Sequence, residues 1–236
     1  MPSASALVEP RRRAVAPAWH TAIVLIALLS SSLAGALSGS LPFVGTFGRA
    51  WGYVLVITFE WVLVGFISWG ANRQKVSLRD LIGGNWARPV AVLRDLAIAV
   101  GFLVICGGGV LNGLGYLLKV APNRAIRGMF PHGPTEIILY SMMALTAGFC
   151  EEVIFRGYLQ RQFVALTQAV AGGIVLQGIA FGLSHGYQGW KFMLLIVVYG
   201  TLFGVLAQWR RSLRPGMITH SLQDGIGGLL ASHFLR

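Results

Sequence analysis

The chain has 236 residues, 55% of them hydrophobic and 11% charged, with mean hydropathy +0.68 and formal net charge +11. A soluble domain carries about a quarter charged residues, so an ordinary water-solvated surface is excluded and lipid is the main solvent. The basic residues stand between apolar segments instead of forming an aromatic-interleaved patch, which excludes nucleic acid as a partner.

A membrane helix takes about 20 apolar residues. Residues 1–18 read as a disordered tail and 19–236 as a single transmembrane domain. Seven spans are predicted, an all-α polytopic bundle: 21–37, 51–69, 93–118, one from 136 into the stretch CEEVIFRG at 150–157, 164–184, 192–207 and 217–234. The first resembles a signal peptide, with Arg11-Arg12-Arg13 before it and Ala34-Gly35-Ala36 at its end. Six further apolar segments downstream favour an uncleaved span. Residues 71–92 form the longest polar loop, where an interfacial helix is expected. No internal repeat is visible, and Cys106 and Cys150 lie in apolar stretches with neither metal-ligand spacing nor a disulfide framework.

Charge sets the expected orientation. With the N-terminus in the cytoplasm, Arg11, Arg12, Arg13, Arg73, Lys75, Arg79, Arg88, Arg94, Arg156, Arg161, Arg210, Arg211 and Arg214 lie inside. Arg49, Lys119, Arg124, Arg127, Lys191 and Arg236 lie outside, a bias that fits the positive-inside rule. The expected location is a bacterial cytoplasmic membrane with membrane lipid as the first partner.

Ionisable residues at membrane depth are expensive and mark candidate sites. Glu60 is one, and Glu151, Glu152, Arg156, His185, His220 and Asp224 concentrate in the last hundred residues. Glu152 and Arg156 are four apart and share a helix face. Glu151 lies about 100° round the helix from its neighbour, free to face a cavity, where a desolvated carboxylate suits acid–base work. The bland reading of the doublet is a solvated helix end. His220 and Asp224 are also four apart, a spacing at which a carboxylate can orient an imidazole; the bland reading is a packed histidine. Gly182-Leu183-Ser184-His185-Gly186 fits the G-x-S-x-G nucleophile pattern, but that motif needs a strand–turn–helix in a sheet. A membrane serine protease pairing Ser184 with His220 stays open. No H-E-x-x-H is present, although Glu151, His185 and His220 can still be drawn together as a zinc set.

The ordered set E-E-x-x-x-R, F-x-x-x-H and H-x-x-x-D on apolar helices resembles the CPBP intramembrane protease family, which includes the type II CAAX prenyl proteases and bacterial proteins linked to bacteriocin processing and immunity. The residues are Glu151, Glu152 and Arg156, Phe181 and His185, and His220 and Asp224, within about 138–232. The resemblance implies a helix bundle around a cytoplasm-facing cavity. It also implies hydrolysis of a peptide bond, in a membrane-associated or lipidated peptide or protein tail, by a water that Glu151 activates. Glu152 and Arg156 would support that base, and His185 and His220 would stabilise the oxyanion. Asp224 stands where the eukaryotic prenyl proteases carry Asn, and as a carboxylate it accepts hydrogen bonds but does not donate them. The resemblance requires no cofactor and leaves a zinc version of the site open.

Straight perpendicular helices would keep Glu151, His185 and His220 at different depths. The expected resolution is a fourth helix running on past Arg156 and a short or bent fifth. Two functions compete with the endopeptidase: a non-catalytic membrane scaffold or immunity protein of the same fold, and a proton-coupled carrier, which the lack of repeat symmetry disfavours. The sequence does not read out oligomeric state or substrate identity.

Overall fold

The computed structural model describes residues 12–39, 48–121 and 124–234, with only the backbone of residues 231 and 234. Among these residues the helices are α1 Ala18–Ser38, α2 Arg49–Asn72, α3 Leu78–Ile82, α4 Pro89–Leu117, α5 Arg124–Gly128, α6 Pro134–Thr167, α7 Val170–Ser184, α8 Trp190–Arg210 and α9 Arg214–Phe234. No strand occurs among them, only an isolated antiparallel bridge between Gly83 and Ser212. α1, α2, α4, α6 and α8 are each long and apolar enough to cross a membrane. α7 has 15 residues. α9 has 21, and the polar groups of its first three turns keep it out of that set. The chain is thus an all-α integral membrane bundle; of the seven expected spans, five correspond to helices long and apolar enough to cross a membrane, among the described residues.

The fourth helix does continue past Arg156. It runs unbroken to Thr167, so residues 164–167 end α6 instead of starting the fifth span, and Gln168 in left-handed backbone (φ 57°) makes the turn into α7. Within α6 the segment Glu152–Leu159 is π-helical, and all eight residues are buried. A second π segment, Leu103–Leu111, sits inside α4. Single π turns inside α-helices are frequent at functional sites because the extra residue widens the turn and redirects side chains.

α6 is the hub. Val153, Ile154, Phe155, Tyr158 and Leu159 pack against Ile67 and Ala71 of α2, Leu81 of α3, Phe181 of α7 and Leu213. The outward faces carry exposed apolar side chains such as Ile26, Leu33, Val62, Ile105 and Leu145, as lipid requires. Of the expected tail, residues 1–11 lie outside the described residues, while 12–17 pack on α6. Val15 and Ala16 are buried, and the Val15 N–H donates to Gln162 Oε1 at 2.7 Å.

A polar network locks α1 to α6. Tyr158 Oη meets His20 Nδ1 at 2.7 Å and Thr21 Oγ1 at 3.0 Å, and His20 Nε2 meets the Phe66 carbonyl at 3.0 Å. The His20 ring stacks on Phe66 with centroids 4.0 Å apart. Tyr158→Phe is expected to cost about 1–3 kcal/mol, since it leaves the buried His20 nitrogen without its partner; denaturant titration of the purified protein in micelles would measure it.

The bundle has two ends. The start of α1, the end of α2, the starts of α4 and α7 and the ends of α6 and α8 share one end, held by Asp95 bonding Arg210 at 3.1 Å and Trp86 Nε1 at 2.9 Å. This is the basic end, with Arg73, Lys75, Arg79, Arg88, Arg210 and Arg211. At the opposite end Arg49 pairs with Glu136 at 2.8 Å, and Lys191 Nζ reaches the Lys119 carbonyl at 3.4 Å. A plug closes the basic end. α3 starts from a reciprocal cap in which Ser77 hydrogen bonds hold the Asp80 carboxyl below its usual range. Leu81 and Leu213 are buried beneath the hub, and the Leu213 N–H donates to the Ile82 carbonyl at 2.9 Å.

Candidate active site

Glu151 is the last α-helical residue before the π segment of α6, and the two neighbouring carboxylates part company there. Glu152 turns into the protein. Its Oε1 lies 3.0 Å from Arg156 Nη1 and 3.3 Å from His220 Nδ1. The Arg156 guanidinium is fully buried, 4.2 Å over the Phe181 ring and 4.9 Å over Phe203, and its Nη2 donates to the Gly200 carbonyl at 3.4 Å. Arg156 is therefore an interior cation and drops out of the loop charges that set orientation. Glu151 faces the other way. Its Oε1 is 3.9 Å from His185 Nε2 and its Oε2 is 3.5 Å from His220 Nε2. Both gaps are shorter than two hydrogen bonds of about 2.8 Å laid end to end, so one water can touch Glu151 and either imidazole together.

Helix lengths bring these groups to one depth. α7 starts beside the far end of α6 and returns for only 15 residues, about 22 Å at 1.5 Å per residue. That is less than the roughly 30 Å of hydrocarbon, so His185 ends level with Glu151. α9 starts at the basic end, on the plug, and lies against α6 through Gly148. A Cβ built there would stand 2.7 Å from the Ser221 nitrogen and 2.9 Å from the Met217 carbonyl oxygen. Gly148→Val is expected to push α9 off α6, costing about 1–3 kcal/mol and separating His220 from both glutamates; melting temperature and cleavage per folded protein would report the two effects.

The structure brings together all six residues named from the sequence, with two refinements. Glu152, not Asp224, takes the Nδ1 of His220; Asp224 Oδ2 stands 3.6 Å from Nε2, on the cavity side, with its side chain 38% exposed. The i,i+4 spacing of His220 and Asp224 could not show this, because the competing carboxylate comes from another helix. His185 Nδ1 lies 2.9 Å from the Phe181 carbonyl, which makes that nitrogen a proton carrier and turns Nε2 to Glu151. Ser184 sits on α7, not on a strand–helix turn, and its hydroxyl donates to the Phe181 carbonyl at 2.7 Å and lies 3.1 Å from His185 Nδ1.

A cavity of about 1170 Å³ rises from Glu151, His185 and His220. Its lining includes Leu103 to Val120 of α4 and beyond, Met129, Tyr140, Gln188 and Leu230, all in the half of the bundle away from the basic end. The N-terminal segment and the cavity thus lie at opposite ends. α6 is solid from Glu152 to Leu159, and the plug lies on the side away from the cavity. Sequence reasoning noted Glu60 as a buried ion but left it out of the site. Glu60 lines the same cavity, is 6% exposed, and its Oε2 has no hydrogen-bond partner. Only its membrane depth signalled it.

Among the described residues no group of three His, Cys, Asp or Glu side chains is placed to hold a metal ion. In Glu151, His185 and His220, each carboxylate oxygen faces a different imidazole.

An all-α membrane bundle thus carries a buried cluster of glutamates and histidines on one cavity. Residues 133–226 match the family model described as type II CAAX prenyl endopeptidase Rce1-like. The match spans all six candidate site residues, so this part of the chain is similar to type II CAAX prenyl endopeptidases. No curated protein and no solved structure matches the chain.

Proposed function

We propose that this protein is an endopeptidase in which Glu151 activates the attacking water. The observation that carries the reading is the division of the doublet. Glu152 is neutralised by Arg156, while Glu151 presents its two oxygens to two imidazoles at the floor of a cavity.

The chemistry follows from those contacts. Glu151 takes a proton from water, and the hydroxide adds to the scissile carbonyl carbon. Charge develops on the carbonyl oxygen, where a protonated His220 Nε2 donates to it; Glu152 holds the ring from its Nδ1 side. The proton on Glu151 passes to the leaving nitrogen as the C–N bond breaks, giving a carboxylic acid and an amine. His185 Nε2 accepts from the water and helps to aim it. Asp224 beside His220 Nε2 acts as an acceptor toward substrate N–H groups. Glu60 adds a third carboxyl to the same cavity, beside Glu151 and Asp224.

Reconstituted protein incubated with membrane-anchored peptides tests the reading, with new termini identified by mass. Wild type and Ser184→Ala are expected to give the same products. Loss of products in Ser184→Ala with cleavage intact in Glu151→Gln would install the serine mechanism instead. A wild type that cleaves nothing while still rescuing a deletion strain would favour the scaffold.

A further inference from the structure

A second, smaller cavity of about 70 Å³ lies between α1, α2, α6 and the end of α7. Leu28 and Ser31 of α1 and Leu63 of α2 line it. Glu60, Glu151 and His185 line this chamber and the large cavity alike, so they form the partition between the two. His220 lines the large cavity and not the small one. Ser32 clamps α1 to the end of α7 here: its hydroxyl donates to the Leu183 carbonyl at 2.8 Å and accepts from the Gly186 N–H at 3.0 Å.

The chamber has room for about two waters, each taking roughly 30 Å³ of liquid volume. Buried water settles where polar groups lack protein partners, and two such atoms belong to the partition. Glu60 Oε2 and Glu151 Oε2 are buried without a hydrogen bond from the protein. Glu60 is 6% exposed, and the charged groups acting on it are the carboxyls of Glu151 and Asp224. A carboxyl at membrane depth with no counter-ion is costly, and hydrogen-bonded water lowers that cost. Hydrolysis adds one water across the C–N bond in each turnover. A peptide seated in the large cavity covers Glu151 from that side and excludes water there. The small chamber is then the space still in contact with both Glu151 and His185.

We propose that this chamber holds the water consumed in hydrolysis and that Glu60 is the positioning residue that binds it there. Water hydrogen-bonded to Glu60 Oε2 passes into the 3.9 Å gap between Glu151 Oε1 and His185 Nε2, while the substrate carbonyl approaches from the His220 side. Glu60 exchanges no proton with the substrate; it acts through the water and Glu151. This role rests on the reading of Glu151 as the base; the hydration of the chamber does not.

Two variants of the full chain reach the chamber by different routes. Glu60→Leu removes the carboxyl, and Ser31→Leu fills the space from α1 at a position that does not line the large cavity. Each is expected to lower kcat for a membrane-anchored peptide by about 10–100-fold, the scale of a misplaced reactant, with KM and melting temperature near those of wild type. Glu60→Gln, whose amide still binds water, is expected to keep most of the activity that Glu60→Leu loses. Wild-type kcat in either Leu variant, or a loss carried by KM, overturns the proposal and leaves Glu151 as the base. Radiolytic footprinting in micelles reads hydration without substrate, since hydroxyl radicals from bound water oxidise the side chains beside it. Leu63 stands on the chamber wall at 5% exposure; its oxidation in wild type and its protection in Ser31→Leu are the expected result. An unmodified Leu63 overturns the proposal whatever the turnover. Oxidised Leu63 with no cleavage by wild type removes the protease reading and the role of Glu60 together, while the hydration stands.

Discussion

Glu151→Gln is expected to lower the rate of peptide hydrolysis by about 10²–10⁴-fold, the range ascribed to a positioned general base, with the melting temperature close to that of wild type. Gln keeps the volume and one acceptor oxygen but cannot take a proton from water. The fold does not depend on the charge: Glu151 faces the cavity, and its Oε2 makes no hydrogen bond in the protein. Both imidazole contacts, at 3.5 and 3.9 Å, are loose enough to survive an amide. Turnover of a quenched-fluorescence peptide in proteoliposomes, beside a thermal melt, separates the two quantities. Unchanged turnover would remove Glu151 from the mechanism.

Arg156→Ala should do the opposite: it should unfold the protein before its chemistry can be asked about. A buried ion pair broken by loss of one partner leaves an uncompensated charge and costs about 3–5 kcal/mol. Glu152 is at 1% and Arg156 at 0% side-chain exposure, and the guanidinium also loses its seat between Phe181 and Phe203. Arg156→Met combined with Glu152→Leu is expected to recover much of the stability, because well-packed apolar replacements of a buried pair are often neutral or better. Activity should not return with it, since His220 Nδ1 then has no carboxylate to hold the ring. Denaturant midpoints and cleavage rates of the single and double variants would show whether stability and activity part in this way. A double variant as unstable as Arg156→Ala would mean that the pair is not the source of the loss.

Much of this was legible in the residues. The i,i+4 spacing of Glu152 and Arg156 dictates a shared face in any helix, and their pairing at 3.0 Å follows from it. Glu151 one residue earlier had to point elsewhere. Apolar length marked α1, α2, α4 and α8 nearly to their ends. The site itself was readable because ions at membrane depth have so few structural excuses. Other features were hidden. The boundary between α6 and α7 was misplaced because 164–167 is as compatible with a helix end as with a helix start, and only the left-handed Gln168 decides it. Neither π segment has a sequence signature. The partner of His220 Nδ1 comes from a different helix, so no spacing rule reaches it. Glu60 lies on α2, far from the motif in the chain.

By itself the sequence determined the solvent, the all-α class and the chemical inventory of the site, because hydropathy, helical period and the cost of buried charge act locally along the chain. Tertiary structure alone decided the rest. It set which carboxylate faces water and which is neutralised, because that depends on the three aromatic rings around Arg156. It brought His185 level with Glu151, because a helix of 15 residues returns only part of the way across. It also decided at which end of the bundle the cavity lies, because that depends on where the packed hub of α6 is solid.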